Sequence, residues 1–107
     1  MKYNCPMAIP QEFLREGKIR GIVSIRNLKT DEIYLYASED AVQSYGKERF
    51  KLDLGMHPQR QLQNAYTELG LELFIFQLDK EAGEDEDLEK LLQERRNYWK
   101  EKGCRLY

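Results

Sequence analysis

The side chains best suited to meet an anionic ligand are Arg15, Lys18, Arg20, Arg26 and Lys29, which crowd the first third of a 107-residue chain. Cations gathered in this way neutralise phosphate backbones. The acid lies elsewhere: Glu81, Glu84, Asp85, Glu86, Asp87 and Glu89 form one later run, read as a solvated loop and helix start, with a phosphate-mimicking arm as the alternative. The net charge of −2 gives no support for nucleic-acid binding, so only a segregated basic face would serve it. Arg60, two residues beyond Pro58, stands at an expected helix N-terminus, where free backbone N–H groups favour phosphate; a solvated Arg is the alternative. His57 is the sole histidine and has no Cys, His or Asp at metal-ligand spacing. Its place before Pro58 suits it to cap the following helix or pack under the loop. Cys5 and Cys104 lie near opposite ends of the chain and read as free thiols rather than a disulfide.

Length sets the frame that must position these groups. The chain reads as a single domain over residues 1–107, with 1–18 an N-terminal extension and 19–102 the core. Charged residues at 34% against 41% hydrophobic argue for an ordinary globular domain and against disorder throughout. The first residues do not lead into a signal-like apolar stretch, and no segment approaches the roughly 20 apolar residues that span a bilayer. The expectation is a cytoplasmic protein with no membrane partner.

Pro10 to Glu16 predicts a short helical turn closed by Gly17. From Ile19, residues Ile19, Gly21, Val23 and Ile25 alternate with Arg20, Ile22, Ser24 and Arg26, a strand buried on at least one face. Turn chemistry over Asn27 to Asp31 and the β-rich run Glu32 to Tyr36 complete a hairpin. Ser38-Glu39-Asp40 supplies a helix N-cap, with apolar Ala41, Val42, Tyr45, Phe50, Leu52 and Leu54 leading to Gly55. Gly46 predicts a bend or a later start. Pro58 opens a second helix bearing Leu62, Ala65, Tyr66 and Leu69 up to Gly70. Leu71 to Leu78 reads as a third strand, and Leu88, Leu91, Leu92 and Trp99 mark a closing helix that runs to Gly103. The fold class is α+β: a small three-stranded, mainly antiparallel sheet flanked by helices, in the order β-β-α-α-β-α.

Gly21-Ile22-Val23 and Tyr34-Leu35-Tyr36, at hairpin spacing, resemble the paired signature of the GIY-YIG nuclease superfamily with two letters changed. Asn27 follows the first strand as the family's Asn often does. Gly55-Met56-His57-Pro58 with Leu62-Gln63 resembles the G-x-H-[PS]-x-x-x-L-Q linker common in the family's homing-endonuclease-like bacterial members, and Phe74-Ile75-Phe76 with Leu78 resembles its third strand. The similarity runs from about Arg20 to Trp99 and implies a small sheet flanked by helices.

The resemblance also implies hydrolysis of phosphodiesters with one divalent metal held by a Glu on the last helix, aided by hairpin tyrosines and an Arg on the first long helix. Such chemistry needs a carboxylate for Mg²⁺, a group to help deprotonate water and a cation for the charge on the phosphoryl oxygens. The chain departs at most of these places. Val23 stands in for the first signature Tyr and cannot relay a proton. Tyr36 replaces the final Gly and puts a ring where the family leaves room. Tyr34 keeps the second signature Tyr, with a packed aromatic as the alternative role. The Arg position falls on Ser44, with Lys47 one turn away and Arg49 nearby. The metal-holding Glu becomes Arg96, counting back from Trp99. At about 5 Å and an effective dielectric near 20, that charge and Mg²⁺ repel by roughly 6 kcal/mol. Loss of a single preorganised charge-stabilising group costs ~10²–10³ in rate, so several losses bring turnover close to background.

Three readings follow. The first is a degenerate, catalytically silent nuclease-like domain that binds nucleic acid (DNA or RNA) or protein, with Arg20, Arg26, Lys29, Lys47, Arg49, Arg60 and Arg96 as the cationic side. In it Arg96 holds a phosphate directly, in bidentate geometry, and no metal, catalytic residue or small-molecule cofactor is expected. The second is an active diverged nuclease using Tyr34, Lys47 and Glu94, with Mg²⁺ as its cofactor. The third is a purely structural or protein-interaction domain.

Overall fold

The computed structural model describes Phe13, Leu14 and residues 17–107. The helical turn expected over residues 10–16 lies outside the described residues apart from Phe13 and Leu14, as do Cys5 and Arg15. The order is β1 (Gly21–Asn27), β2 (Ile33–Ser38), α1 (Ala41–Asp53), α2 (Arg60–Leu69), a 3₁₀ turn (Leu71–Leu73), β3 (Phe74–Glu81) and α3 (Leu88–Glu101). The strands form one antiparallel sheet in the order β2-β1-β3. The expected α+β architecture and element order are therefore present.

β1 is central, which explains a burial that exceeds its alternating pattern: both of its faces are covered. Val23 and Ile25 pack toward α1 and α2 with Ala41, Tyr45, Leu52, Leu62, Tyr66, Phe74 and Phe76. Ile22 faces the other way, with Ile33, Leu35 and Leu91 under α3. Each such Ile or Leu, taken wholly from water, contributes about 1.5–3 kcal/mol. Gly21 is demanded by the neighbouring strand, since a Cβ there would run into the Lys80 carbonyl oxygen. Just beyond it the register passes from Ile22 opposite Lys80 to Val23 opposite Leu78, leaving Asp79 as a bulge.

Local chemistry sets the ends. Asn27, buried at the hairpin, accepts Lys29 N–H at 2.9 Å and Thr30 N–H at 3.2 Å, and donates Nδ2–H to the Tyr107 hydroxyl at 3.0 Å. Asp40, rather than Ser38, is the N-cap of α1 and accepts Gln43 N–H at 3.3 Å. Gly46 does not interrupt this helix, which runs unbroken over Ala41–Asp53 with Gly46 on its exposed side. The buried stripe of α1 is Ala41, Tyr45, Arg49 and Leu52, whereas Val42, Phe50 and Leu54 are exposed, contrary to expectation. Helical spacing gives the physical reason: four-residue steps from Ala41 lead to Tyr45 and Arg49, not to Phe50. Leu71–Leu73 is a 3₁₀ turn rather than strand, because Gly70 with φ 90° redirects the chain before β3 starts. Cys104 is a free, half-buried thiol. No described helix is long and apolar enough to cross a membrane.

Candidate nucleic-acid interface

Strand alternation turns Tyr34 and Tyr36 toward α1 and α2, while Ile33 and Leu35 between them face α3. β2 lies at the edge of the sheet, and its outer side is paired at Ile33 with the final residues: Ile33 N–H donates to the Arg105 carbonyl at 3.0 Å and Tyr107 N–H to the Ile33 carbonyl at 2.9 Å. Tyr34 lies edge-on to His57 with ring centroids 5.3 Å apart and 6.1 Å from the Tyr36 ring. Its hydroxyl has no hydrogen-bond partner among the described residues. Burial is the main cause of its raised pKa; the Glu48 charge adds to the rise and the Arg96 charge opposes it. The phenol stays protonated, a neutral donor.

His57 is buried under the loop, one of the roles its position suggested, while the cap of α2 is Gln59, whose side chain accepts Gln61 N–H at 3.3 Å. The His57 Nδ1 accepts Gln59 N–H at 3.0 Å, just ahead of α2, which leaves the proton on Nε2 to be donated to Glu48 Oε1 at 2.6 Å. His57 N–H in turn donates to Gln63 Oε1 at 3.0 Å, and Gln63 Nε2 reaches the Leu52 carbonyl at 3.0 Å. The linker, the later half of α1 and the start of α2 are thus tied together through His57 and Gln63. Lys51 Nζ lies 3.4 Å from the other Glu48 oxygen.

Ser44, where the resemblance places an arginine, sits in a local polar chain: it accepts from Ser38 Oγ at 2.8 Å and lies 3.4 Å from the Tyr36 hydroxyl and 3.1 Å from the Ala41 carbonyl. Burial lifts the Tyr36 pKa far above the ordinary phenol range. Val23 is wholly buried in the core.

The cations proposed from sequence stand in different surroundings. Arg20 clasps the acidic loop, its Nε 2.7 Å from Glu39 Oε1 and its Nη1 2.7 and 2.8 Å from the carbonyls of Gly83 and Glu86. Arg49 is buried between the Tyr45 hydroxyl at 3.1 Å and Asp53 Oδ2 at 3.3 Å, because the i+4 stripe of α1 carries it inward. Arg26 is half-buried beneath α3, with its guanidinium 5.3 Å from the Trp99 ring and its Nε buried without a partner. Lys29, Lys47 and Arg60 are exposed, the last as the first residue of α2. Arg96 is half-buried, and no hydrogen bond or ion pair occupies it among the described residues.

Glu94 is exposed on α3, and no contact joins it to Tyr34 among the described residues. The carboxylate beside Tyr34 is Glu48, from α1, which the sequence pattern did not single out. Its signal was its position one turn beyond Ser44, on the same helix face. A divalent ion at the position implied by the resemblance would need hard oxygen ligands. The side chain there is the Arg96 guanidinium, and no group of three or more His, Cys, Asp or Glu that could hold a metal ion occurs among the described residues.

Comparison with protein-family models and with curated proteins gave no match. Among solved structures, the chain is similar to the catalytic domain of the homing endonuclease I-TevI, with a TM-score of 0.64, 23% identity, and coverage of 78% of this chain and 86% of that one. A point mutant of the catalytic domain of intron endonuclease I-TevI gives a TM-score of 0.62 at 23% identity, covering 78% of this chain and 82% of that one. I-TevI is a GIY-YIG homing endonuclease. With the three-stranded sheet, the helix order and the hairpin-borne Tyr34 in place, the chain has a GIY-YIG-like fold.

Proposed function

We propose that this chain is a binding module for the phosphodiester backbone of nucleic acid, built on a nuclease-like fold and devoid of metal-dependent cleavage. One observation carries the reading: Arg96, half-buried on α3 and with no anionic partner among the described residues, stands at the position where the resemblance implies a metal-holding carboxylate. An unpaired guanidinium is a preorganised two-point donor for phosphate and requires no ion. Tyr34 adds a protonated hydroxyl, while Lys47, Lys29 and Arg60 are exposed to contact flanking phosphates. The losses at Val23 and Ser44 support silence, since neither residue relays a proton or offsets charge.

The test is a nuclease assay with Mg²⁺ or Mn²⁺ beside a low-salt binding titration on the same preparation. Binding without cleavage is the expected outcome. Cleavage that survives a Tyr34→Phe, Glu94→Gln double substitution would point to contamination, whereas cleavage lost with it would favour the active reading.

A second reading, protein interaction, draws on exposed Phe50, Leu54 and Met56, which are 66, 54 and 68% accessible at the end of α1. A stable oligomer by light scattering, with no response to nucleic acid, would favour it.

A further inference from the structure

The outer side of α1 carries a second stripe beside its buried one. Ala41, Tyr45, Arg49 and Leu52 face the core, whereas Val42, Gly46, Phe50 and the C-cap Leu54 succeed one another at four-residue steps along the exposed side. Residues four apart form the ridges by which helices most often pack on one another. This ridge has a knob and a notch: Phe50 is 66% accessible, while a Cβ placed on Gly46 would meet nothing within 4 Å. Nothing in the monomer asks for that glycine, since its φ is not positive and no neighbour crowds it, yet an interior glycine weakens a helix relative to Ala.

The ridge is complementary to itself. A two-fold axis crossing α1 at position 48, with the helices antiparallel, sets Val42 against Leu54 of a second copy and Gly46 against its Phe50. We propose that a second copy of this chain occupies the outer face of α1, each Phe50 ring entering the notch at the other copy's Gly46. The inference takes up the exposed patch of the protein-interaction reading, on which it rests, and names its occupant; it stands apart from the phosphodiester reading, which Arg96 carries on α3. At 66% accessibility Phe50 offers about 130 Å², on the scale of ~200 Å² for an aromatic side chain. With Val42, Leu54 and Met56 the patch reaches roughly 400 Å², half of the ~800 Å² that each partner gives to a standard stable complex. The dimer is therefore weak and reversible. Exposed Lys47 flanks the ridge next to the axis, so pairing brings like charges together and salt, by screening them, favours it.

Sedimentation velocity of the full chain from about 1 µM to about 1 mM tests the proposal. The expected result is a shift from one chain to two with a dissociation constant of about 10⁻⁴ M, tightened by added salt. Phe50→Asp, at an exposed position, is expected to keep the circular dichroism of the unaltered chain and to remain monomeric. Gly46→Leu adds apolar surface but fills the notch, so a specific pair weakens about tenfold or more, whereas an unspecific sticky patch tightens. Val42→Cys with Leu54→Cys, in a Cys5→Ser, Cys104→Ser background, is expected to give a disulfide-linked dimer on oxidation, because the two positions lie about 18 Å apart along one helix and meet only between copies. A chain monomeric throughout, a dimer indifferent to Phe50→Asp, or one tightened by Gly46→Leu overturns the proposal. Each of these outcomes leaves the metal-free titration with nucleic acid to be read separately, so failure here is distinguishable from failure of the phosphodiester reading.

Discussion

His57 donates its Nε2–H to Glu48 Oε1 across 2.6 Å, with its direction fixed from the far side of the ring by Gln59 N–H at 3.0 Å. The pair links the α1 carboxylate to the linker ahead of α2. His57→Ala removes a buried ring and leaves Glu48 free to swing. We expect a loss of about 2–3 kcal/mol by urea denaturation. Unchanged stability would show that the ring does not organise the linker.

Asp79, bulged out of β3, accepts Arg95 Nε at 2.7 Å, Arg95 Nη2 at 3.3 Å and Trp99 Nε1 at 3.0 Å, and only 4% of its side chain is exposed. This cluster fastens α3 to the sheet and so sets where Arg96 stands. Asp79→Ala leaves a guanidinium and an indole N–H without their acceptor, with an expected cost of about 3 kcal/mol. Urea unfolding followed by the emission of Trp99 reads both the loss and the changed indole environment.

Gly21→Ala is expected to be more severe, because the new Cβ meets the Lys80 backbone and the strand cannot yield without giving up β1–β3 pairing. A loss above ~3 kcal/mol, or failure to fold, is the expected outcome by circular dichroism. A well-folded variant would contradict the close approach.

Alkaline pH probes the Tyr66 hydroxyl, which donates to Asp53 Oδ1 at 2.5 Å. Burial, reinforced by that bond, pushes its pKa up from 10.0 to about 12. A raised pKa means that the folded state favours the protonated phenol, so the stabilisation is complete below pH 10 and is lost as pH climbs toward 12. Tyr66→Phe is expected to cost about 1–2 kcal/mol at neutral pH and to flatten that alkaline decline in denaturation midpoints. An unchanged alkaline slope would remove Tyr66 from the account.

Much of this architecture was legible in the chain. The β-branched alternation from Ile19 to Ile25 marked β1, and Leu62, Ala65, Tyr66 and Leu69 marked the inner face of α2, because single-element periodicity follows directly from burial. Leu71 to Leu73 misled, since composition alone does not separate strand from a 3₁₀ turn when a glycine with positive φ redirects the chain. The far end of β3 was hidden for the opposite reason: Lys80 and Glu81 are polar and become strand only through pairing with Ile22 and Gly21. The site was half legible. Tyr34 and Arg96 were visible through the resemblance of the hairpin and closing-helix motifs, but Glu48 becomes meaningful only once folding brings it to His57, and the inward turn of Arg49 shows how a helix face, rather than a charge, decides whether a cation meets solvent.

The central claim is that Arg96 holds phosphate in place of a metal. An anisotropy titration in EDTA of the unaltered chain, Arg96→Ala and Arg96→Glu with one labelled oligonucleotide tests it most directly. We expect metal-free binding by the unaltered chain, weakened about tenfold or more by Arg96→Ala and abolished by Arg96→Glu, with both variants folded. Binding that demands a divalent ion, or that is indifferent to both substitutions, would contradict the account.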